Sequence, residues 1–150
     1  MKFLTLNTHS WMEENPQQKF EDLLKDILEK QYDLICFQEI NQTIESPVVP
    51  VNDLYHPTPS SEPIHQDHYV RCLVEKLEEE GLSYHWTWAY NHIGYDRYHE
   101  GVAVLSRTPI QASELLVSDV NDPTDYHTRR IDIAETQVDG KEIEVASVHL

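Results

Sequence analysis

Glu39 directly follows the apolar run Asp33-Leu34-Ile35-Cys36-Phe37-Gln38, where a carboxylate finds no partner in a core. It must stand at an exposed strand end or on a cation. A hard divalent ion such as Mg²⁺ suits it, because Mg²⁺ takes one or two carboxylates and keeps its remaining positions for water and phosphate oxygens. The competing reading is an ordinary solvent-facing glutamate. Asn7 closes the preceding strand and shares that geometry, although asparagine is also a common turn residue. His149 sits in an alternating apolar segment, where a lone histidine is more often a hydrogen-bonded core residue than a catalyst. A carboxylate beside it would fix its tautomer and raise its basicity, and Glu100, at the opening of another strand, is the candidate. Thr128-Arg129-Arg130 puts two guanidinium groups at a strand start, and arginine forks onto phosphate oxygens, although pairing with a nearby Asp is the commoner use.

Other constellations fit less well. His56, His65, His68, His92, Asp96 and His99 show no His-x-x-x-His pair on a helix, and both cysteines, Cys36 and Cys72, lie in apolar patterns, which argues against zinc. Asp119-Val120-Asn121-Asp122-Pro123-Thr124-Asp125 lacks the central Gly and the bidentate Glu of a calcium loop and reads as an acidic turn. There is no Gly-rich phosphate loop, no nucleophile elbow and no basic stripe.

The elements that must position these residues follow from spacing. Lys2 to Asn7 alternates as a strand. Asn15-Pro16 then opens a helix, with Asn as N-cap and Pro in the first turn, and Phe20, Leu23, Leu24, Ile27 and Leu28 mark its apolar face. The run ending at Gln38 reads as a strand buried on both faces and parallel to the first, so Asn7 and Glu39 open on the same edge. Residues 41–66 hold five of the chain's eight prolines and little periodicity, and read as a long loop, either a substrate-side lid or a disordered excursion. Val70, Leu73, Val74 and Leu77 predict a second helix that stops at Gly81. From Ser83 on, period two dominates, with strands over Tyr84 to Tyr90, Gly101 to Ser106 and Ile110 to Ser118. Arg130 to Val138 and Lys141 to Leu150 form a hairpin about Asp139-Gly140, a dipeptide that tolerates a type I′ turn.

Composition narrows the function. The 150 residues carry 27 acidic against 11 basic side chains, a formal charge of −16, which opposes polyanions at long range and leaves nucleic acid only as a metal-assisted substrate. With 39% hydrophobic residues the chain can build a core, and no apolar run reaches the length of a membrane span. Two cysteines make no disulfide framework, and the expected setting is the reducing cytoplasm.

The order of the motifs Phe3-Leu4-Thr5-Leu6-Asn7, Ile35-Cys36-Phe37-Gln38-Glu39, Glu100-Gly101-Val102-Ala103-Val104-Leu105-Ser106-Arg107, Arg129-Arg130 and Ser147-Val148-His149-Leu150 resembles the endonuclease/exonuclease/phosphatase superfamily, which includes deoxyribonuclease I. The resemblance covers about the first half of a family domain. It implies an α+β fold, a deoxyribonuclease I-like four-layered α/β sandwich of which residues 1–150 form the N-terminal part, and metal-dependent hydrolysis of phosphate esters. It further implies Glu39 as ligand of Mg²⁺, or of Mn²⁺ in its place, and Asn7 as a builder of the catalytic pocket. His149 and Glu100 become a catalytic dyad, and Arg130, or Arg129, the phosphate contact. The family's Gly-Asp-x-Asn and Ser-Asp-His motifs have no counterpart here, so these residues alone are expected to be nearly inactive, with a missing C-terminal half or a partner chain at the edge strand Val145 to Leu150. The substrate class is left open between a small phosphate ester, a nucleotide, a lipid headgroup and nucleic acid. Acidity tilts it away from long duplex DNA, with the aromatic stretch Tyr84 to Tyr98 as a pocket wall. The rival reading is a non-catalytic binding half-domain that pairs through its open edge.

Overall fold

The computed structural model describes all residues, 1–150, as two facing β-sheets with two helices on the outer face of one of them. The elements are β1 (Phe3–Asn7), a 3-10 turn (Ser10–Met12), α1 (Pro16–Lys30), β2 (Leu34–Thr43), α2 (Tyr69–Glu79), β3 (His85–Gly94), β4 (Tyr98–Ser106), β5 (Gln111–Leu116), β6 (Arg130–Val138) and β7 (Lys141–Ser147). The first sheet has the order β1-β2-β4-β3, with β1 parallel to β2 and the other pairs antiparallel; the second is the antiparallel meander β5-β6-β7. Helices, sheet and sheet make three of the four layers of a deoxyribonuclease I-like sandwich. No helix is long and apolar enough to cross a membrane.

The main core lies between the helices and the first sheet, where Phe20 and Ile27 of α1 and Val70, Leu73 and Leu77 of α2 meet Ile35, Phe37, Trp86, Trp88 and Leu105. The aromatic stretch from Tyr84 is therefore core and not pocket wall: Tyr84, Trp86, Trp88 and Tyr90 are buried, because β3 is covered on both faces. Between the sheets the apolar core is small, with Cys36, Val104, Ile110 and Ala134, and its remaining positions are polar, Thr87, Ser106, Asp132 and Thr136 among them.

Local chemistry explains most boundaries and corrects some. Asp139 and Gly140 both take positive φ, 53° and 77°, as a type I′ turn requires. Asn15 occupies the N-cap position of α1 but is left-handed and makes no side-chain cap; α2 is capped instead by the His68 ring, which accepts from the Arg71 amide. β2 does not end before Glu39. It continues through a bulge at Gln38–Glu39 to Thr43, so the long connection begins three residues later than the prolines indicate. That connection is ordered by pairing. Val49 N–H donates to Ile64 O, His56 N–H to Trp86 O, and Trp86 N–H to Leu54 O. β7 ends at Ser147, which leaves His149 just beyond the strand and not within it.

Candidate active site

The bulge aims Glu39. Its φ of 53° is a conformation that costs a non-glycine residue about 1–2 kcal/mol, and the segment after β1 holds it there. Ser10 Oγ donates to Glu39 O at 2.7 Å and accepts from Asn41 N–H at 3.2 Å, which occupies the two backbone groups that the bulge removes from the ladder. Thr8 N–H donates to Gln38 O, and Trp11 Nε1 anchors the same turn to Asp67 O at 2.7 Å. Thr8-His9-Ser10 thus builds the setting of Glu39 from the segment that follows β1.

Around Glu39 stand two imidazoles: His9 Nε2 lies 3.4 Å from Oε2 and His149 Nε2 lies 3.9 Å from Oε1. No sequence signal marked His9, whose other ring nitrogen faces Glu13 at 3.5 Å. His149 is placed by its flanks. Ser147 Oγ donates to Phe37 O at 2.8 Å, and Arg129 donates from its guanidinium to His149 O at 3.3 Å. Asn7 is exposed at the end of β1, where its Oδ1 accepts from His9 N–H at 3.2 Å.

Glu100 is on β4, directly across from Asn41 of β2 and His92 of β3. Its nearest imidazole is His92, Nε2 to Oε2 3.6 Å; it makes no ion pair with His149, so the expected Glu100–His149 pair is not formed in this conformation. Burial raises the Glu100 carboxyl above its ordinary range, the Glu39 charge adds to this, and Arg129 and His9 oppose it. His92 is held below its ordinary value, by burial first and then by Arg129 and His149.

The two arginines separate. Arg130 is committed to structure: its Nε pairs with Glu114 at 3.1 Å, and its two terminal nitrogens donate to Tyr90 O and Asn121 Oδ1, both at 2.8 Å. Its side chain is 12% exposed and that of Glu114 8%, with Ser60 of the long connection on the same carboxylate. Arg129, just before β6, sends its guanidinium to His149 O instead, and its charge is felt by Glu100 and His92. Of the two arginines, Arg130 has all its guanidinium nitrogens on protein groups, whereas Arg129 makes a single side-chain hydrogen bond, to His149 O.

The residues suit a hard cation. The Glu39 charge acts on Glu100, and neither carboxylate forms an ion pair with a Lys or Arg. No three His, Cys, Asp or Glu side chains converge into a closed cage. Two clefts, about 580 Å³ beside Arg71, Glu75 and Trp86 and about 820 Å³ beside Thr108, Gln111 and Glu144, lie away from this cluster and contain none of its residues.

Comparison with known proteins identifies the family and the fold. The model of the "Endonuclease/Exonuclease/phosphatase family" matches residues 10–146. A solved endonuclease/exonuclease/phosphatase family protein from Leptotrichia buccalis C-1013-b is 34% identical with a TM-score of 0.87, over 100% of this chain and 53% of its own. An endonuclease/exonuclease/phosphatase from Beutenbergia cavernae DSM 12333 shares the fold at 18% identity and a TM-score of 0.59, over 99% of this chain and 37% of its own. ANGEL2, a 2',3'-cyclic phosphatase, does so at 16% identity and a TM-score of 0.55, over 99% of this chain and 40% of its own. The chain thus spans about half the length of the solved relative that it resembles at 34% identity. No curated protein matches the chain.

Proposed function

Because the chain belongs to the endonuclease/exonuclease/phosphatase family, whose members hydrolyse phosphate esters, we propose that it forms the Glu39 side of a divalent-metal phosphoesterase site. The observation that carries this is Glu39 itself, a carboxylate held in a left-handed bulge between two imidazoles, its charge felt by a second carboxylate, Glu100, with no Lys or Arg paired to it. Glu39 is the principal ligand for Mg²⁺, or for Mn²⁺, with Asn7 beside it. A bound ion of this kind supplies positive charge to a phosphoryl oxygen. Arg129 supports the phosphate, and the His149 imidazole moves a proton as a water oxygen bonds to phosphorus and the ester oxygen leaves. Glu100 is the carboxylate that orients His149 in the reacting protein.

The reaction belongs to the complete protein; residues 1–150 alone are expected to turn over substrate at a trace rate. The outer edges of β1 and β7, each paired on one side only, are where further chain or a partner strand would add. The charge of −16 favours a small phosphate ester, nucleotide or lipid headgroup over duplex DNA. Two free cysteines suit the cytoplasm. The test assays the full-length protein in Mg²⁺ buffer on p-nitrophenyl phosphate, bis(p-nitrophenyl) phosphate and duplex DNA, with Mg²⁺ binding followed by calorimetry. Glu39→Gln should weaken Mg²⁺ binding at least about tenfold, and His149→Ala should lower kcat by roughly 100-fold or more. Hydrolysis that persists unchanged in EDTA would overturn the reading, and a marked preference for DNA would overturn the substrate tilt.

A further inference from the structure

Seven buried side-chain nitrogen and oxygen atoms have no hydrogen-bond partner in this structure, and four of them belong to two residues, Asn41 and His92. These two are not scattered. Asn41 pairs with Glu100 on one side and His92 pairs with Glu100 on the other, so the three form one row across β2, β4 and β3. Directly paired residues of antiparallel strands point to the same face, and here that face looks toward Arg129 and His149. Asn41 is fully buried and His92 is 4% exposed.

Burying polar atoms without partners is unfavourable, and native chains rarely do it. Four such atoms flanking one carboxylate call for a use. Each flank can present an N–H donor to Glu100: the Asn41 amide Nδ2, and the His92 ring at Nε2, which already lies 3.6 Å from Oε2. A modest rotation of the carboxylate converts that approach into a hydrogen bond. His92 is flanked by Glu100, Arg129, His149 and Asp125, and burial keeps its ring neutral, which leaves a single proton for that donation.

We propose that Asn41 and His92 are positioning residues that grip the Glu100 carboxylate from both sides, fixing the oxygen it turns toward His149. The proposal rests on the phosphoesterase reading and adds residues to it. Neither side chain needs to touch substrate. The row also accounts for the bulge at Tyr90–His92 in β3, which restores His92 to the face of Glu100 after Asn91 has been spent on the Arg130 amide at 2.6 Å.

The experiment measures kcat and KM of the full-length protein with Mg²⁺ and bis(p-nitrophenyl) phosphate for the wild type, His92→Leu, His92→Gln and Asn41→Ala, with melting curves for each. His92→Leu and Asn41→Ala should lower kcat about 10- to 100-fold with KM within about twofold, the usual size of an effect exerted through another side chain. His92→Gln keeps a donor where Nε2 stands and should recover to within about fivefold of wild type. Should His92→Leu fail to fold, the Gln and Asn41 variants decide. A folded Asn41→Ala or His92→Leu with wild-type kcat overturns the proposal, as does a melting temperature that falls while kcat holds, the mark of a purely structural role. A wild-type protein that hydrolyses none of the probes overturns the phosphoesterase reading instead, which keeps the two failures distinct.

Discussion

Arg129 and Arg130 are neighbours in the chain with opposite fates, and substitution separates them. Arg130→Ala leaves the buried Glu114 carboxylate without its partner and empties donors from Tyr90 O and Asn121, so it should destabilise the protein by about 3–5 kcal/mol in urea unfolding. Arg129→Ala removes a half-buried group whose one protein hydrogen bond is to His149 O, and should leave stability within about 1 kcal/mol while kcat/KM on phosphate esters falls. An Arg130→Ala protein as stable as wild type would contradict the structural role given to it. Gly101 is equally constrained. A Cβ there would sit 2.1 Å from Ala89 O and 2.9 Å from Trp88 Nε1, the group that donates to Ile40 O across the sheet. Backbone cannot yield as a flexible side chain would, so Gly101→Ala should cost about 3 kcal/mol or more, read as a lowered urea midpoint. Glu100 is the adjacent residue, and the same variant should depress kcat. A midpoint equal to wild type would show that β3 and β4 separate at no cost.

At the scale of elements, the connection from residue 44 to residue 68 is the segment whose attachment is expected to depend on pH. His56 Nε2 and His85 Nδ1 share one hydrogen bond at 3.0 Å, which needs a lone pair on one ring. Burial lowers both histidines, and the His85 ring further disfavours charge on His56. A value depressed in the docked state contributes stability above the free value, near 6.5, and loses it as pH falls. Amide exchange at residues 52–58, corrected for its intrinsic pH dependence, should therefore report easier opening at pH 5.5 than at pH 7.5. Equal opening free energies would rule out the imidazole pair as a latch. The connection's existence was legible in its prolines, as the helices were in their 3.6-residue spacing and the hairpin in Asp139-Gly140. What stayed hidden was set by tertiary contacts. The bulge that turns Glu39 depends on Ser10 and Thr8 reaching across from another segment. Adjacency in the sequence does not say which of Arg129 and Arg130 meets the site. Period two likewise marks Trp86 and Trp88 as strand residues without revealing that α2 and the second sheet cover both faces of β3.

For the whole molecule, two buried groups and one global field act on stability in different pH windows. His68 is fully buried and burial pushes it down to about 3, so the folded protein keeps it neutral; stability is complete above about 6.5 and falls as pH drops toward 3, on the order of a few kcal/mol in all. Asp132 is fully buried between the sheets and raised well above the ordinary carboxyl value, chiefly by burial, with the Thr87 hydroxyl donating to Oδ1 at 3.2 Å and Oδ2 unpartnered. Its sign is opposite. The unfolded chain ionises Asp132 near pH 4 and the folded one does not, so its contribution declines as pH rises from there. The net charge of −16 adds self-repulsion in the same direction. Salt separates the two, since it screens surface charges over about 8–10 Å but scarcely reaches a buried carboxyl. With 0.3 M NaCl present, the melting temperature of Asp132→Asn should exceed that of wild type at pH 7.5 and converge with it near pH 4. His68→Asn, which keeps an acceptor for the Arg71 amide, should flatten the decline below pH 6.5. Were Asp132→Asn to track wild type across the whole range in high salt, the loss of stability at neutral pH would belong to the surface charge and not to the carboxyl between the sheets.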